Sequence, residues 1–261
     1  MDASLLLQSV SFIRDGCWIL KEINFTVQSN ERWLVLGANG SGKTSLLRIA
    51  ALHEHPSSGS VTVLGESLGT TDVRTLRRRI GYMSASLATS LREQLTSQEV
   101  VMTAKYAALE PWWHTYDNED RKRALECLKR MSVGDVAERS FGTLSSGEQQ
   151  RVLLARTLMT DPGIIFLDEP SARLDLGGRE FLVQALGELT TDTSAPPLVI
   201  VSHHVDEIPP GMTHILYLSQ GTVMASGTVA EVLTSSMLSE CFGLNLHLEK
   251  RANGRFSAWA V

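Results

Sequence analysis

Gly37-Ala38-Asn39-Gly40-Ser41-Gly42-Lys43-Thr44 follows the apolar run Trp33-Leu34-Val35-Leu36 and precedes Ser45-Leu46-Leu47-Arg48-Ile49-Ala50-Ala51-Leu52. The run is short and continuous, the pattern of a strand buried on both faces. The stretch after Thr44 reads as a helix, and Pro56-Ser57-Ser58-Gly59 ends the unit. In this strand–turn–helix setting G-x-x-x-x-G-K-[ST] is a phosphate-binding loop. Its glycines let successive backbone N–H groups close around phosphate oxygens. The helix N-terminus adds unsatisfied donors and the positive end of its dipole. Gly37, Ala38, Asn39, Gly40, Ser41, Gly42, Lys43, Thr44 and Ser45 are therefore expected to hold a nucleotide. Lys43 should reach the β- and γ-phosphates, and the Thr44 hydroxyl should ligate Mg²⁺.

A second apolar strand, Ile164-Ile165-Phe166-Leu167, ends in Asp168-Glu169-Pro170. Acids in that place lie at the carboxyl edge of a parallel sheet, beside the phosphate loop. Asp168 suits the Mg²⁺ shell, since that ion takes oxygen ligands and keeps several waters. Glu169 is then placed to orient or deprotonate an attacking water. His203 follows a third strand, Leu198-Val199-Ile200-Val201-Ser202, and reads as a γ-phosphate sensor. Between these elements lies Leu144-Ser145-Ser146-Gly147-Glu148-Gln149-Gln150-Arg151, a Gly-containing turn leading straight into a helix.

Elsewhere the pattern is mixed. Val10-Ser11-Phe12 and Ile23-Asn24-Phe25-Thr26-Val27 alternate as half-exposed strands around an Asp15-Gly16 turn. Ser60–Gly65, Ile80–Met83 and Ile215–Leu218 read as further strands. From about Ser86 to Thr160 helical spacing takes over, as at Ala124, Leu125, Leu128 and Met131. The 261 residues, 43% hydrophobic and 20% charged, suit one large domain or a core with an inserted subdomain. A net charge of −5 argues against a nucleic-acid partner. Cys17, Cys127 and Cys241 are scattered, as expected of free thiols in a reducing compartment. The stretch from Met1 to Gln8 has no signal-peptide pattern, and no run approaches the roughly 20 apolar residues of a membrane span. Any membrane role is therefore expected to act through a partner.

In this order the motifs resemble those of the ATP-binding subunits of ABC transporters, and the resemblance covers nearly the whole chain. Leu144 to Glu148 is similar to the family signature, usually L-S-G-G-Q. The resemblance implies an α/β P-loop NTPase fold: a RecA-like, mostly parallel sheet core, an N-terminal antiparallel β subdomain and an inserted helical subdomain. It implies one ABC domain over 1–261, with 1–85 and 161–261 as core and antiparallel part, and 86–160 as the helical subdomain. It also implies a head-to-tail dimer, in which the signature of one subunit caps the ATP on the other's phosphate loop. Ser145, Ser146, Gly147 and Glu148 would then contact the partner's nucleotide. Glu169 would be the catalytic glutamate, His203 the switch histidine, and Asp175 a D-loop residue near the dimer interface, within Ser171-Ala172-Arg173-Leu174-Asp175. The cofactors implied are ATP and Mg²⁺. The partners are a second cassette and transmembrane permease subunits, with the chain peripheral on the cytoplasmic face of the membrane. The alternative is a soluble ABC ATPase of assembly or repair.

Three departures from the family pattern stand out, at four positions. Ser146 and Glu148 replace the usual Gly and Gln, while Ser145 and Gly147 remain. Arg14 stands where an adenine-stacking aromatic is expected, and its guanidinium plane can stack instead. Ala85 stands where a Gln normally relays the nucleotide state to the permease. The departures, with Glu31-Arg32-Trp33 and Ser202-His203-His204, are similar to a subgroup described as molybdenum- or iron-transport ATPases. His53-Glu54-His55 reads as loop polarity rather than a metal site, for want of a third ligand. Arg77-Arg78-Arg79 and Arg121-Lys122-Arg123 read as solvated helix faces. Pro111-Trp112-Trp113-His114-Thr115-Tyr116 is expected to pack within the insert, with docking to a membrane partner as the alternative. Leu238 through Val261 is expected to form a closing hairpin around Asn253-Gly254.

Overall fold

The computed structural model describes residues 3–172 and 174–261, the Ala85 side chain excepted. Met1 and Asp2, from the stretch read for a signal peptide, and Arg173 of the D-loop lie outside them. β1 (Ala3–Arg14) and β2 (Cys17–Gln28) form a long hairpin, and β3 (Arg32–Leu36) leads through the phosphate loop into α1 (Lys43–Ala50). β4 (Ser58–Val63) and β5 (Glu66–Ser67) return to the hairpin, and α2 (Val73–Arg77) precedes β6 (Ile80–Ser84). Next come α3 (Ala85–Ser90), α4 (Ser97–Met102), α5 (Asn118–Arg130) and α6 (Ser146–Thr157). β7 (Ile164–Asp168), α7 (Leu176–Thr191), β8 (Leu198–Ser202), β9 (His214–Ser219) and β10 (Thr222–Thr228) follow. The described chain closes with α8 (Val229–Val232), α9 (Ser235–Phe242), β11 (Leu246–Lys250) and β12 (Phe256–Ala260).

The main sheet has the order β10-β9-β3-β8-β7-β6; all its strands run parallel except β10. A second, antiparallel sheet has the order β2-β1-β4-β5. Asp15 and Gly16 join β1 to β2 with φ of 51° and 77°, the left-handed pair that a two-residue hairpin turn requires. Period-two alternation divides each buried strand between two cores. Trp33, Val35, Phe166, Val199 and Val201 face α1 and the antiparallel sheet. Leu34, Leu36, Leu167, Leu198 and Ile200 face the helical side. Both faces are covered, so the strands are continuously apolar until their carboxyl ends. There the first polar residues emerge, side by side.

The structure alters several expectations. The tail hairpin occupies only β11 and β12; Leu238 belongs to α9, where it is fully buried against the helical-side core. Trp112 and Trp113 do not pack within the insert: they are 58% and 84% exposed, because Ala124, Leu128 and Met131 already fill that core. His114 and Tyr116 do pack, both against Tyr106. Arg77 is no solvated face either, since its guanidinium donates to the Leu52 carbonyl oxygen at the end of the phosphate-loop helix unit. Likewise Glu54 does more than add loop polarity, pairing with both Arg14 and Arg48. Strand β10 escaped the sequence reading because Gly227 and its small polar neighbours mute the alternation.

Candidate functional site

β3, β8 and β7 are consecutive neighbours in the sheet, so the segments leaving their carboxyl ends converge. The phosphate loop leaves β3, Glu169 follows β7 and His203 follows β8. Gly37 is required by close approach: a Cβ there would lie 2.2 Å from the Leu218 carbonyl oxygen. Gly42, with φ of 103°, turns the loop into α1. Lys43 is 5% exposed and donates to the carbonyl oxygens of Gly37 and Ala38, at 2.8 and 3.0 Å. Burial lowers its pKa from the ordinary lysine value, opposed by the charges of Glu169 and Asp168. The Ser41 hydroxyl is buried with no hydrogen-bond partner among the described residues, a polar group facing the costs of desolvation alone.

Asp168 ends β7 beside α1 and accepts a hydrogen bond from Thr44 Oγ1 at 3.1 Å. Desolvation drives its pKa up to about 6; the Thr44 hydrogen bond resists the shift, and Glu169 adds to it. Glu169 is held at a φ of 48°, a left-handed conformation that a non-glycine residue adopts only when its surroundings impose it. Its amide donates to the Val201 carbonyl oxygen, and its own carbonyl accepts from Ala172. The turn aims its carboxylate at His203, whose Nδ1 lies 3.3 Å from Oε1. Both side chains are about one-third exposed, open to a ligand over the phosphate loop. Lys43, Thr44, Asp168, Glu169 and His203 are thus gathered in one place.

Leu144–Arg151 stands apart: among the described residues no hydrogen bond or ion pair joins it to the phosphate loop. Ser145 caps α6 in a reciprocal box with Glu148, accepting from its amide at 3.3 Å and donating to Oε2 at 2.8 Å. Those hydrogen bonds hold the Glu148 carboxyl below the usual range, and Arg139 pairs with it at 3.2 Å. A Cβ on Gly147 would meet nothing within 4 Å, so the backbone there is open to approach. Asp175 caps α7 through Gly178 N at 2.8 Å.

A glycine-rich loop between strand and helix, an acidic strand end, a histidine and a detached second helix N-terminus form a family pattern, and the sequence profile described as ABC transporter matches residues 20–172. The chain belongs to that family. The ABC transporter ATP-binding protein YlmA of Bacillus subtilis is 38% identical over 245 residues, covering 94% of this chain and 92% of that protein. The phosphonates import ATP-binding protein PhnC 1 of a Ruegeria species is 31% identical over 225 residues, covering 84% and 86%. Among solved structures, the ATP-binding cassette MJ0796, a dimer in a post-hydrolysis state bound to ADP and Pi, superposes with a TM-score of 0.75. It is 29% identical, covering 86% of this chain and 98% of that one. The chain is an ABC-type ATP-binding subunit and ATPase, with the transport role rather than the assembly or repair role.

Within this cassette Arg14 sits at the tip of the β1–β2 hairpin, paired with Glu54 and lying over the Phe12 ring, 5.2 Å from its centroid. Ala85 opens α3, which Ser84 caps by accepting from Leu87 N. Ser84 and Ser86 line a cavity of about 390 Å³ between α1, β6 and the helical insert. Arg48, Arg77 and Arg156 also line it, with no carboxylate among its described lining residues. His53, at its wall, packs against the Tyr82 ring at a tilt of 34°, and desolvation with these arginines lowers its pKa to about 4. His53 and His55 gain no third ligand: among the described residues no group of three His, Cys, Asp or Glu is arranged to hold a metal. Among the described residues no helix is long and apolar enough to cross a membrane.

The sequence reading missed Gln150 and Glu207. Gln150 is buried on α6 and donates to the Ala172 carbonyl oxygen at 3.4 Å. Glu207 is buried just after β8, where Ser171 and Ser202 both donate to it. A glutamate four residues beyond His203 carried no signal by itself; only the fold brings Ser171 against it.

Proposed function

We propose that this subunit binds Mg-ATP between two copies of the chain and uses its hydrolysis to drive a separate transmembrane permease. The observation that carries the reading is the convergence of Lys43, Thr44, Asp168, Glu169 and His203 at three adjacent strand ends, with Ser145–Glu148 held apart and open. Gly37–Thr44 and Ser45 would wrap the phosphates, with Lys43 leaving its carbonyl partners to meet the β- and γ-oxygens. The unpartnered Ser41 hydroxyl supports an anionic occupant. Glu169 would take or orient the proton of the attacking water, and His203 would hold the γ-phosphate, steadied by the Glu169 carboxylate. Ser145, Ser146, Gly147 and Glu148 of the second copy would close the site, with Asp175 near the seam and Arg14 against the adenine.

The donor set fits Mg²⁺. Thr44 and Asp168 present hard oxygens 3.1 Å apart, and the desolvated Asp168 carboxylate gains most from a cation. When bound, the ion would neutralise charge on the β- and γ-phosphates. For the permease, the arginine-lined cavity supports a carboxylate-bearing cytoplasmic segment docked beside Ser84 and Ser86. That contact would place the chain on the cytoplasmic face of the membrane.

Glu169→Gln should keep ATP binding and lose turnover by roughly 10²-fold or more, because it removes a positioned base. It should also dimerise in Mg-ATP, as read by light scattering. Near-normal hydrolysis would sink the role of Glu169, and a variant monomeric at saturating Mg-ATP would contradict the shared site.

A further inference from the structure

Two loops must be held in register for the site to work, and one buried carboxylate ties them together. Glu207 is 8% exposed. Its Oε2 accepts from Ser171 Oγ at 2.5 Å and from Ser202 Oγ at 2.9 Å. Ser171 lies two residues after Glu169, and Ser202 immediately precedes His203. Ser202 Oγ also accepts from the His204 amide at 3.0 Å, which fixes the backbone on the far side of His203. Arg179 of α7 faces the other carboxylate oxygen, Nε to Oε1 at 3.3 Å, and balances the charge. Outside this ring, Arg255 of the C-terminal hairpin donates to the Asp206 carbonyl oxygen at 2.6 Å and pairs with Glu180, bracing the turn that carries Glu207.

We infer that Glu207 is a positioning residue for hydrolysis: it clamps the Glu169 loop to the His203 strand end and so sets the 3.3 Å meeting of those two side chains. A buried carboxylate is expensive in the absence of partners, and an apolar residue would fill a helix–strand seam without that cost. What an apolar residue cannot supply is one acceptor shared by hydroxyls on both loops. The left-handed φ at Glu169 is the strain such a clamp has to hold against. Reach to bound ATP is no part of its role: Oε2 is taken by Ser171 and Ser202, while Oε1 lies buried without a hydrogen bond among the described residues, held by the charge of Arg179.

The inference rests on the roles proposed for Glu169 and His203, and its test separates the two. Steady-state ATPase is measured for wild type, Glu207→Ala, Glu207→Gln, the Ser171→Ala/Ser202→Ala pair, and Glu207→Ala combined with Glu169→Gln. Thermal melting checks that each protein is folded at assay temperature. Glu207→Ala should lower kcat about 10- to 100-fold, the scale of an ångström-sized misplacement, with KM for ATP within about twofold of wild type. The serine pair should do the same. Glu207→Gln keeps an acceptor oxygen for both hydroxyls and should recover most of kcat. In the Glu169→Gln background, where the base is already gone, Glu207→Ala should cost single-turnover hydrolysis less than it costs wild type, because only the His203 side of the clamp is left to lose. Should Glu207→Ala fail to fold, the serine pair and Glu207→Gln carry the test. An unchanged kcat in the serine pair, or an additive loss in the Glu169→Gln background, overturns the clamp while leaving Glu169 as base. Near-normal turnover in Glu169→Gln alone would instead remove the reading beneath it.

Discussion

The two regions of this chain proposed to face nucleotide are built on opposite plans. The strand-end region is the drier of the two, with Lys43 and Asp168 buried, and is internally cross-braced: Lys43 rests on its own loop carbonyls, Asp168 on Thr44, and Glu169 against His203. Folding alone completes it, and it stores electrostatic cost in the desolvated Lys43 and Asp168. The signature region is wet, and at its exposed tip Ser145 and Glu148 satisfy one another through their capping box. Nothing strained is stored there. The contrast teaches that the first region is poised for a ligand of opposite design, phosphate and cation together. Under the proposed function, the second would be given its ligand by another molecule and would have to give up its private hydrogen bonds to accept it.

The largest effect expected from this contrast is a pH dependence confined to the dry region. In the nucleotide-free fold the Asp168 carboxyl titrates near 6 rather than 3.8. Between those values the native state holds a proton that the unfolded chain has released. Its contribution to stability is therefore complete below about pH 4, falls as pH rises toward 6, and is flat above. The span is about 3 kcal/mol at ~1.4 kcal/mol per pKa unit. Denaturant titrations of wild type and Asp168→Asn, subtracted pH by pH, should show this descending step. Saturating Mg-ATP should erase it, because the cation replaces the proton. A difference curve that is flat from pH 4 to 6 would mean that Asp168 is not desolvated, and the two regions would be less unlike than they look.

The legibility of the two regions from sequence also differs, for physical reasons. The phosphate loop was readable because its glycines and lysine sit at fixed spacing on a strand–turn–helix, and Asp168, Glu169 and His203 because each directly ends an apolar run. Local order suffices when a site is made of strand ends. The signature was readable as a helix cap, but the pairing of Glu148 with Arg139 needed the fold, since nothing in the spacing says where the Arg139 guanidinium points. Glu207 was invisible for the same reason: its partners lie 36 and 5 residues away. Continuous apolar runs marked the central strands because they are buried on both faces, whereas β10, an edge strand with small residues, gave little pattern. Trp112 and Trp113 misled because aromatic size suggests burial while the core of the insert was already full.

A smaller effect should mark the wet region. Glu148 brings a negative charge to a helix N-terminus proposed to meet phosphate, where a glutamine would be neutral. Arg139, at 3.2 Å, offsets it and also donates to the Thr143 carbonyl oxygen. Arg139→Ala should raise the ATP concentration needed for dimerisation of the Glu169→Gln protein by roughly 5- to 10-fold, about 1 kcal/mol of exposed, salt-screened electrostatics. Adding Glu148→Gln should restore the wild-type midpoint, because the charge needing an offset is gone. Added salt should shrink the Arg139→Ala effect. If the double substitution is as weak as Arg139→Ala alone, Arg139 acts through the Thr143 loop, and the signature region is braced from within like the other.

The smallest expected effect lies at Arg14, which belongs to neither plan. It is half-exposed, yet its guanidinium is held edge-on by Glu54 and lies on one face over Phe12. Only the other face is left for an adenine ring. Stacking through one exposed cationic plane contributes about 0.5–1 kcal/mol, so Arg14→Ala should raise KM for ATP roughly two- to fivefold and leave kcat unchanged. Arg14→Tyr, which supplies the family's usual aromatic, should recover that loss while still breaking the pair with Glu54. Failure of Arg14→Tyr to recover KM would show that Arg14 acts by holding Glu54 beside Arg48 at the end of the phosphate-loop helix. The adenine contact would then fall to Phe12 or to Trp18, which stands exposed on β2 of the same hairpin, and the dry region would extend out to the hairpin tip.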